Sequence, residues 1–222
     1  MAKLICVDND NHKFGAPDSG VDILERPKRV YVDPLGDTHK VSIWVNNGDN
    51  YEINNCLKKD LLKCQNLYEL YKKQVNYNVA SNHGLDRDLP PRVIIKVENM
   101  KVAFEHGHLG TLWPREKGKR YVEKNKPACG RLKYFFAAAL HKFRKFKKYK
   151  FEGEIKERVT SSLVNTDIDA IIFGHCHTQE YIQDLIFNGQ KYIQVFLMPQ
   201  GRHYFRVHND DIEFFGSERG WL

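Results

Sequence analysis

The sequence predicts a layered α/β domain, and three observations lead there. Short apolar runs recur along the chain, at Lys3–Val7, Val41–Val45, Asn76–Ala80, Val93–Val97, Lys101–Phe104 and Ala170–Phe173. Segments with apolar residues at helical spacing separate several of them. Beyond residue 180 the pattern is strands alone: Tyr181–Phe187, Lys191–Leu197 and His203–Val207. A chain of 222 residues can bury one substantial core, so a single domain over 1–222 is expected.

Each element follows from local chemistry. Gly15 to Lys40 carries Pro17, Pro27, Pro34 and several glycines, which predicts loops and a hairpin around Pro34-Leu35-Gly36-Asp37. Leu57, Leu61, Cys64, Tyr68, Tyr71 and Val75 recur at gaps of 4, 3, 4, 3 and 4, one apolar helix face, with Asn54 or Asn55 as N-cap. Glu98-Asn99 joins two strands as a hairpin. A second helix is expected over Arg131–Lys150 and a third over Gly153–Val164. Asn188-Gly189 predicts a type I′ turn between the late strands.

Composition narrows the function classes. The chain is 41% hydrophobic and 12% aromatic, which excludes a disordered polymer. No apolar run approaches the roughly 18 residues of a spanning helix. The start, Met1 to Val7, turns acidic at Asp8 and is too short for a signal peptide. Five cysteines are scattered without a CxxC pair, so no disulfide framework is expected and a reducing, cytoplasmic setting fits. The net charge of +7 suits an anionic partner.

The chemistry concentrates where apolar runs end. Gly174-His175-Cys176-His177-Thr178 follows Ala170–Phe173 and sets two imidazoles on one strand end, the side chain most used for metals. Upstream lie Asp10-Asn11-His12, Asn47-Gly48-Asp49-Asn50, Ser81-Asn82-His83 and Glu105-His106-Gly107-His108. Each offers ligands for a hard or borderline divalent cation. If the strands share a sheet edge, these ends gather where open α/β sheets bind ligands. A hairpin turn is the alternative reading of Asn47–Asn50. Cys176 alternates away from its histidine neighbours on a regular strand.

This order of motifs resembles the calcineurin-like metallophosphoesterase family, over Lys3 to about Val207. The resemblance implies a four-layer αββα sandwich with a two-metal hydrolytic site. It implies Asp10, His12 and His177 on one cation, Asp49 shared, and Asn82, His106 and His175 on the other. His83 would move a proton as the catalytic residue, with Glu52 near the site behind the ligands. Two divalent ions are expected, Mn first by analogy, with Fe, Zn or Mg also suitable. Such a pair clamps phosphoryl oxygens and activates water.

The chain departs from the family pattern. Ser81 stands where glycine is usual and Gly84 where an acid usually orients the histidine, so Asp86 or Asp88 would have to serve. The first ligand pair has three readings: Asp10 with His12, Asp8, or Asp37 with His39. Only 12 residues separate Asp37 from Asp49, short for a parallel crossover, whereas Asp10 to Asp49 spans 39.

His106 and His175 are 69 residues apart, more than one strand–helix unit needs. Residues 112–160 therefore read as a helical insertion capping the site. Its core, Arg131–Lys150, carries eight Lys or Arg and no acids, with Phe and Tyr interleaved. Such a stretch grips phosphates and stacks bases, or lies on an anionic membrane surface. Arg131, Arg144 and His108 are the expected substrate contacts, though His108 could equally pack. The insertion resembles that of UDP-2,3-diacylglucosamine diphosphatases. The expected function is hydrolysis of a phosphodiester or diphosphate in a nucleotide, nucleic acid or nucleotide-lipid, with no obligate protein partner. The rival reading is a non-catalytic metal-binding module that uses the basic helix as its surface.

Overall fold

The computed structural model describes residues 2–9, 29–50, 61–82, 89–116, 120, 150–178 and 180–219, with the side chains at 63, 64, 176, 177 and 219 outside that description. The elements are β1 (Lys3–Asn9), β2 (Val30–Val32), β3 (Thr38–Asn46), α1 (Leu61–Lys72), β4 (Tyr77–Asn78), β5 (Arg92–Val97), β6 (Met100–Glu105), α2 (Gly153–Leu163), β7 (Ala170–Thr178), β8 (Ile182–Phe187), β9 (Tyr192–Pro199), β10 (Gly201–His208) and β11 (Asp211–Arg219). The hairpin at Pro34–Asp37 and the Glu98-Asn99 turn are both present, joining β2 to β3 and β5 to β6. The expected helix over Arg131–Lys150 lies outside the described residues, as does the N-cap of α1. Strand β11 was not foreseen, because Glu213, Ser217 and Glu218 break its apolar alternation. The β8–β9 turn is centred on Gly189 and Gln190, and only Gly189 has a positive φ, of 96°. Asn188 instead caps the turn, its Oδ1 accepting from the N–H of Gln190 and Lys191.

The strands form two mixed sheets. The first runs β11-β10-β1-β3-β2, with β4 also beside β3; the second runs β5-β6-β7-β9-β8. β1, β3 and β4 are parallel, as are β6, β7 and β9. Period-two alternation sends each strand's residues to two faces. On β1, Ile5 and Val7 enter the core between the sheets with Val102, Phe104, Ile172 and Phe205. Leu4 and Cys6 face the other way, under α1, with Trp44, Tyr68, Tyr71 and Tyr204. On the far side, Val159 and Leu163 of α2 cover Ile171, Phe173, Val195 and Leu197. Three cores separating helix, sheet, sheet and helix make the four-layer αββα sandwich. Each fully buried apolar side chain there contributes about 1.5–3 kcal/mol.

Helix α2 lies in the crossover between parallel β6 and β7. Its first residues fall inside the 112–160 stretch read as a cap, yet they cover a sheet. Leu112, at the other end of that stretch, joins the same core. Residues 121–149 between them are outside the described set.

The buried Cys6 and Tyr71 give the fold an alkaline limit. Burial first, and the Asp8 carboxylate second, push both groups well above their ordinary values of 9.0 and 10.0. Folded chains keep these protons while unfolded chains lose them, so stability is complete below about pH 9 and falls above it. The unfolding free energy from denaturant titrations should hold between pH 8 and 9 and then decline, each group approaching about 1.4 kcal/mol per pH unit only above its ordinary value. A Cys6→Ala, Tyr71→Phe double variant should show a shallower decline. An unchanged slope would contradict this account.

Candidate metal centre

The carboxyl ends of the parallel strands meet at one edge of the sandwich. Asp49 follows β3, Asn82 follows β4, His106 and His108 follow β6, and His175 stands within β7. All five are buried. Ligand atoms of Asp49, His106 and His175 lie within 4.8 Å of one another. His106 is the hub. Its Nε2 is 2.7 Å from Asn82 Oδ1, 2.9 Å from Asp49 Oδ2 and 3.2 Å from His175 Nδ1. The ring of His108 stands 5.4 Å from that of His106.

Two of these residues hold unusual backbone. Asp49 has φ 52° and His175 φ 65°, in the left-handed region that costs most residues free energy. At His175 the cause is visible: the β7–β9 ladder shifts register between Phe173 and Thr178. A bulge of this kind re-aims a side chain beside a site. It also cancels simple alternation across Gly174–His177. The His177 side chain lies outside the described set.

Glycine at two motif positions makes room for His106. A Cβ on Gly48, whose φ is +94°, would stand 2.9 Å from His106 Nδ1. A Cβ on Gly174 would collide with Asn9 Oδ1 and stand 3.1 Å from the same nitrogen. The imidazole is thus wedged between the ends of β3 and β7.

The donor set fits a divalent cation on chemistry alone. His106 Nδ1 is 3.1 Å from the Asn47 carbonyl, which can only accept, so Nδ1 carries the proton of a neutral ring. The Nε2 lone pair then faces two oxygens at 2.7 and 2.9 Å. A cation among them, a second ring proton, or a proton given by His175 Nδ1 at 3.2 Å would offset the repulsion between that lone pair and the oxygens. One carboxylate, one amide oxygen and two imidazoles suit Mn, Fe or Zn.

Asp8 behaves differently from the candidate ligands. Arg202 Nε donates to its Oδ1 at 2.9 Å, while Trp44 Nε1 and Tyr71 OH donate to its Oδ2 at 3.0 and 2.7 Å. The carboxylate therefore faces α1, away from His106. Burial opposes the Arg202 charge, but the Asp8 carboxylate beside it outweighs burial and holds the guanidinium firmly protonated. The backbone oxygen of Asp8 does reach the site: it accepts from Asn47 N at 2.9 Å and Asn50 Nδ2 at 3.2 Å. Asn46 Oδ1 takes the N–H of Gly48 and the amide of Asn50. Together these bonds fix the turn that bears Asp49.

Asp37 and His39 are also set apart. They flank the start of β3, roughly 25 Å of strand from Asp49, and His39 Nε2 binds Asp33 Oδ2 at 2.9 Å. Asp10, His12, Glu52, His83, Arg131 and Arg144 lie outside the described residues.

Sequence reasoning missed two neighbours of the site. Asn9 points inward, and its Nδ2 donates to the Pro199 carbonyl at 3.2 Å. The parity of Ile5 and Val7 on β1 already placed it there. Trp113 stands edge to face with His175, centroids 4.1 Å apart and planes at 83°. No local pattern announces that contact.

No family model and no curated protein matches the chain. Solved structures similar to it include Vps29 from Entamoeba histolytica complexed with Zn2+, at 13% identity and TM-score 0.41, covering 95% of this chain and 89% of that one. Another is a conserved protein from Streptococcus pneumoniae described as a predicted phosphoesterase, at 14% identity and TM-score 0.43, covering 98% and 97%. A third is the NAD nucleotidase of Haemophilus influenzae, at 12% identity and TM-score 0.38, covering 98% of this chain and 49% of that one. These likenesses concern architecture; the chemistry of this chain rests on its own residues.

Asp8→Ala should leave Arg202 buried without its main counter-charge and cost about 3–5 kcal/mol in urea unfolding. A loss below about 1 kcal/mol would show that the pair is dispensable. Gly174→Ala should cost about 1–3 kcal/mol by overpacking and shift the His106 ring resonances in NMR spectra. Unmoved resonances would refute the wedge between Gly48 and Gly174.

Proposed function

We propose that this protein is a divalent-metal-dependent phosphoesterase. One observation carries the reading: an aspartate, an asparagine and a second histidine, remote in sequence, converge within hydrogen-bonding distance of His106 Nε2. Asp49, Asn82, His106 and His175 would hold one cation. Asp10, His12 and His177 would hold a second, sharing Asp49. Mn is the favoured ion, with Fe, Zn and Mg as competitors. Bound there, the metal supplies Lewis acidity toward a phosphoryl oxygen.

The chain's own groups would do the rest. Asn47 O holds the His106 ring with Nε2 toward the ligand cluster. The turn fixed by Asn46 and Asn50 holds the Asp49 carboxylate against the electrostatic penalty of its buried position. His83 would give a proton to the leaving oxygen. His108, Arg131 and Arg144 would bind the substrate, a phosphodiester or diphosphate within a nucleotide, nucleic acid or nucleotide-lipid. The net charge of +7 and the basic, aromatic stretch Arg131–Lys150 support that choice. Contact with an anionic membrane surface would be peripheral. Among the described residues no helix is long and apolar enough to cross a membrane.

Metal-stripped protein should hydrolyse bis(p-nitrophenyl) phosphate once Mn2+ is restored, and His175→Ala should lower the rate by about 100-fold or more. Absence of turnover with Mn, Zn, Fe and Mg would remove the hydrolase reading. Mn2+ binding without turnover would leave the metal-binding module. A panel of UDP-linked lipids, single-stranded DNA and RNA then separates the substrate classes.

A further inference from the structure

A chain of contacts runs from α2 to the metal centre. Arg158 donates from Nη2 to the Leu112 carbonyl at 2.9 Å and from Nε to the Thr111 carbonyl at 3.4 Å. Glu154, one turn earlier on the helix, binds the remaining Nη1. The loop so held folds back on itself: Leu112 N and Trp113 N both donate to the Gly107 carbonyl, at 2.9 and 3.1 Å. Its other flank is tied to β6, where Thr111 Oγ1 donates to the Glu105 carboxylate, itself paired with Arg92 at 2.7 Å. Gly107, at φ +94°, presses so closely on Leu112 that a Cβ there would collide with its side chain. The loop therefore has little freedom, and it ends by setting Trp113 against the His175 ring.

His175 needs such a wall. Its left-handed backbone sits in a bulge, where the β7–β9 ladder does not hold it. A ring at 83° and 4.1 Å restricts its rotation about the side-chain bonds. We infer that Arg158 is a positioning residue for the metal centre: by fixing the 111–113 backbone it holds Trp113 against His175 and keeps Nδ1 directed at the ligand cluster. Arg158 touches no ligand itself. Its planar fork spans two carbonyls, which lysine's single ammonium does not reproduce. The inference rests on the reading of His175 as a metal ligand.

The test measures Mn2+ binding by calorimetry on metal-stripped full chain, with melting temperatures taken alongside. Wild type should bind and His175→Ala should lose about ten-fold or more in affinity. Arg158→Met, which keeps the aliphatic stem, and Trp113→Ala should each lose about ten-fold, in the range for groups behind metal ligands. Trp113→Phe, which keeps a ring, should bind close to wild type. The Arg158→Met, Trp113→Ala double variant should bind no more weakly than Trp113→Ala alone, because both act through one contact. If His175→Ala binds like wild type, the ligand reading fails and the positioning role with it. If only His175→Ala weakens binding, or the two losses add in full, the positioning role alone is overturned.

Discussion

A lone pair facing two oxygens and a second imidazole is the constraint on which this structure turns. His106 Nε2 faces Asp49 and Asn82 in a buried pocket, with Nδ1 committed to a carbonyl. Without a cation or a donated proton at its centre, the lone pair and the two oxygens repel one another. The protein nonetheless builds it with left-handed backbone at Asp49 and His175 and with two glycines clearing space for the ring. Such local disadvantage persists only where the surrounding fold over-determines it. A positive charge at the centre reverses the sign of the interaction.

The over-determination comes from behind the site. Asp8, Arg202, Trp44 and Tyr71 form a buried, charged and hydrogen-bonded block between the first sheet and α1. Its backbone reaches through to the Asp49 turn, and Asn46 and Asn50 complete the brace. On the opposite side, α2 and the loop after β6 brace His175 through Trp113. Two independent supports thus meet at one edge, one for the carboxylate and one for the imidazole. The four layers matter to chemistry because each outer helix stands behind one half of the ligand set.

Residue parity explains which readings survived contact with the structure. Asp8 was a reasonable metal ligand as a carboxylate at the end of a strand. It lies on the same face as Leu4 and Cys6, so it meets Arg202 rather than His106. Asn9, its neighbour, has the inward parity of Ile5 and Val7. His39 follows a plausible Asp-Thr-His series, yet β3 begins there and ends at the site. Helix α2 was legible as a helix over Gly153–Val164. Its place over the second sheet was not, because spacing marks an apolar face without saying what that face meets.

The sequence by itself determined most of the described strand order up to β10, the helices α1 and α2, the apolar faces and the residue types suited to a divalent cation, because those depend on local periodicity and on side-chain chemistry. It also placed Gly48 and Gly174 beside the ligands, without a reason for them. Tertiary structure decided which carboxylate turns inward, why glycine is needed there, and that Arg158 and Trp113 stand behind His175. Those outcomes depend on strand register, on a bulge and on contacts between segments far apart in the chain, none of which leaves a periodic trace in the residues themselves.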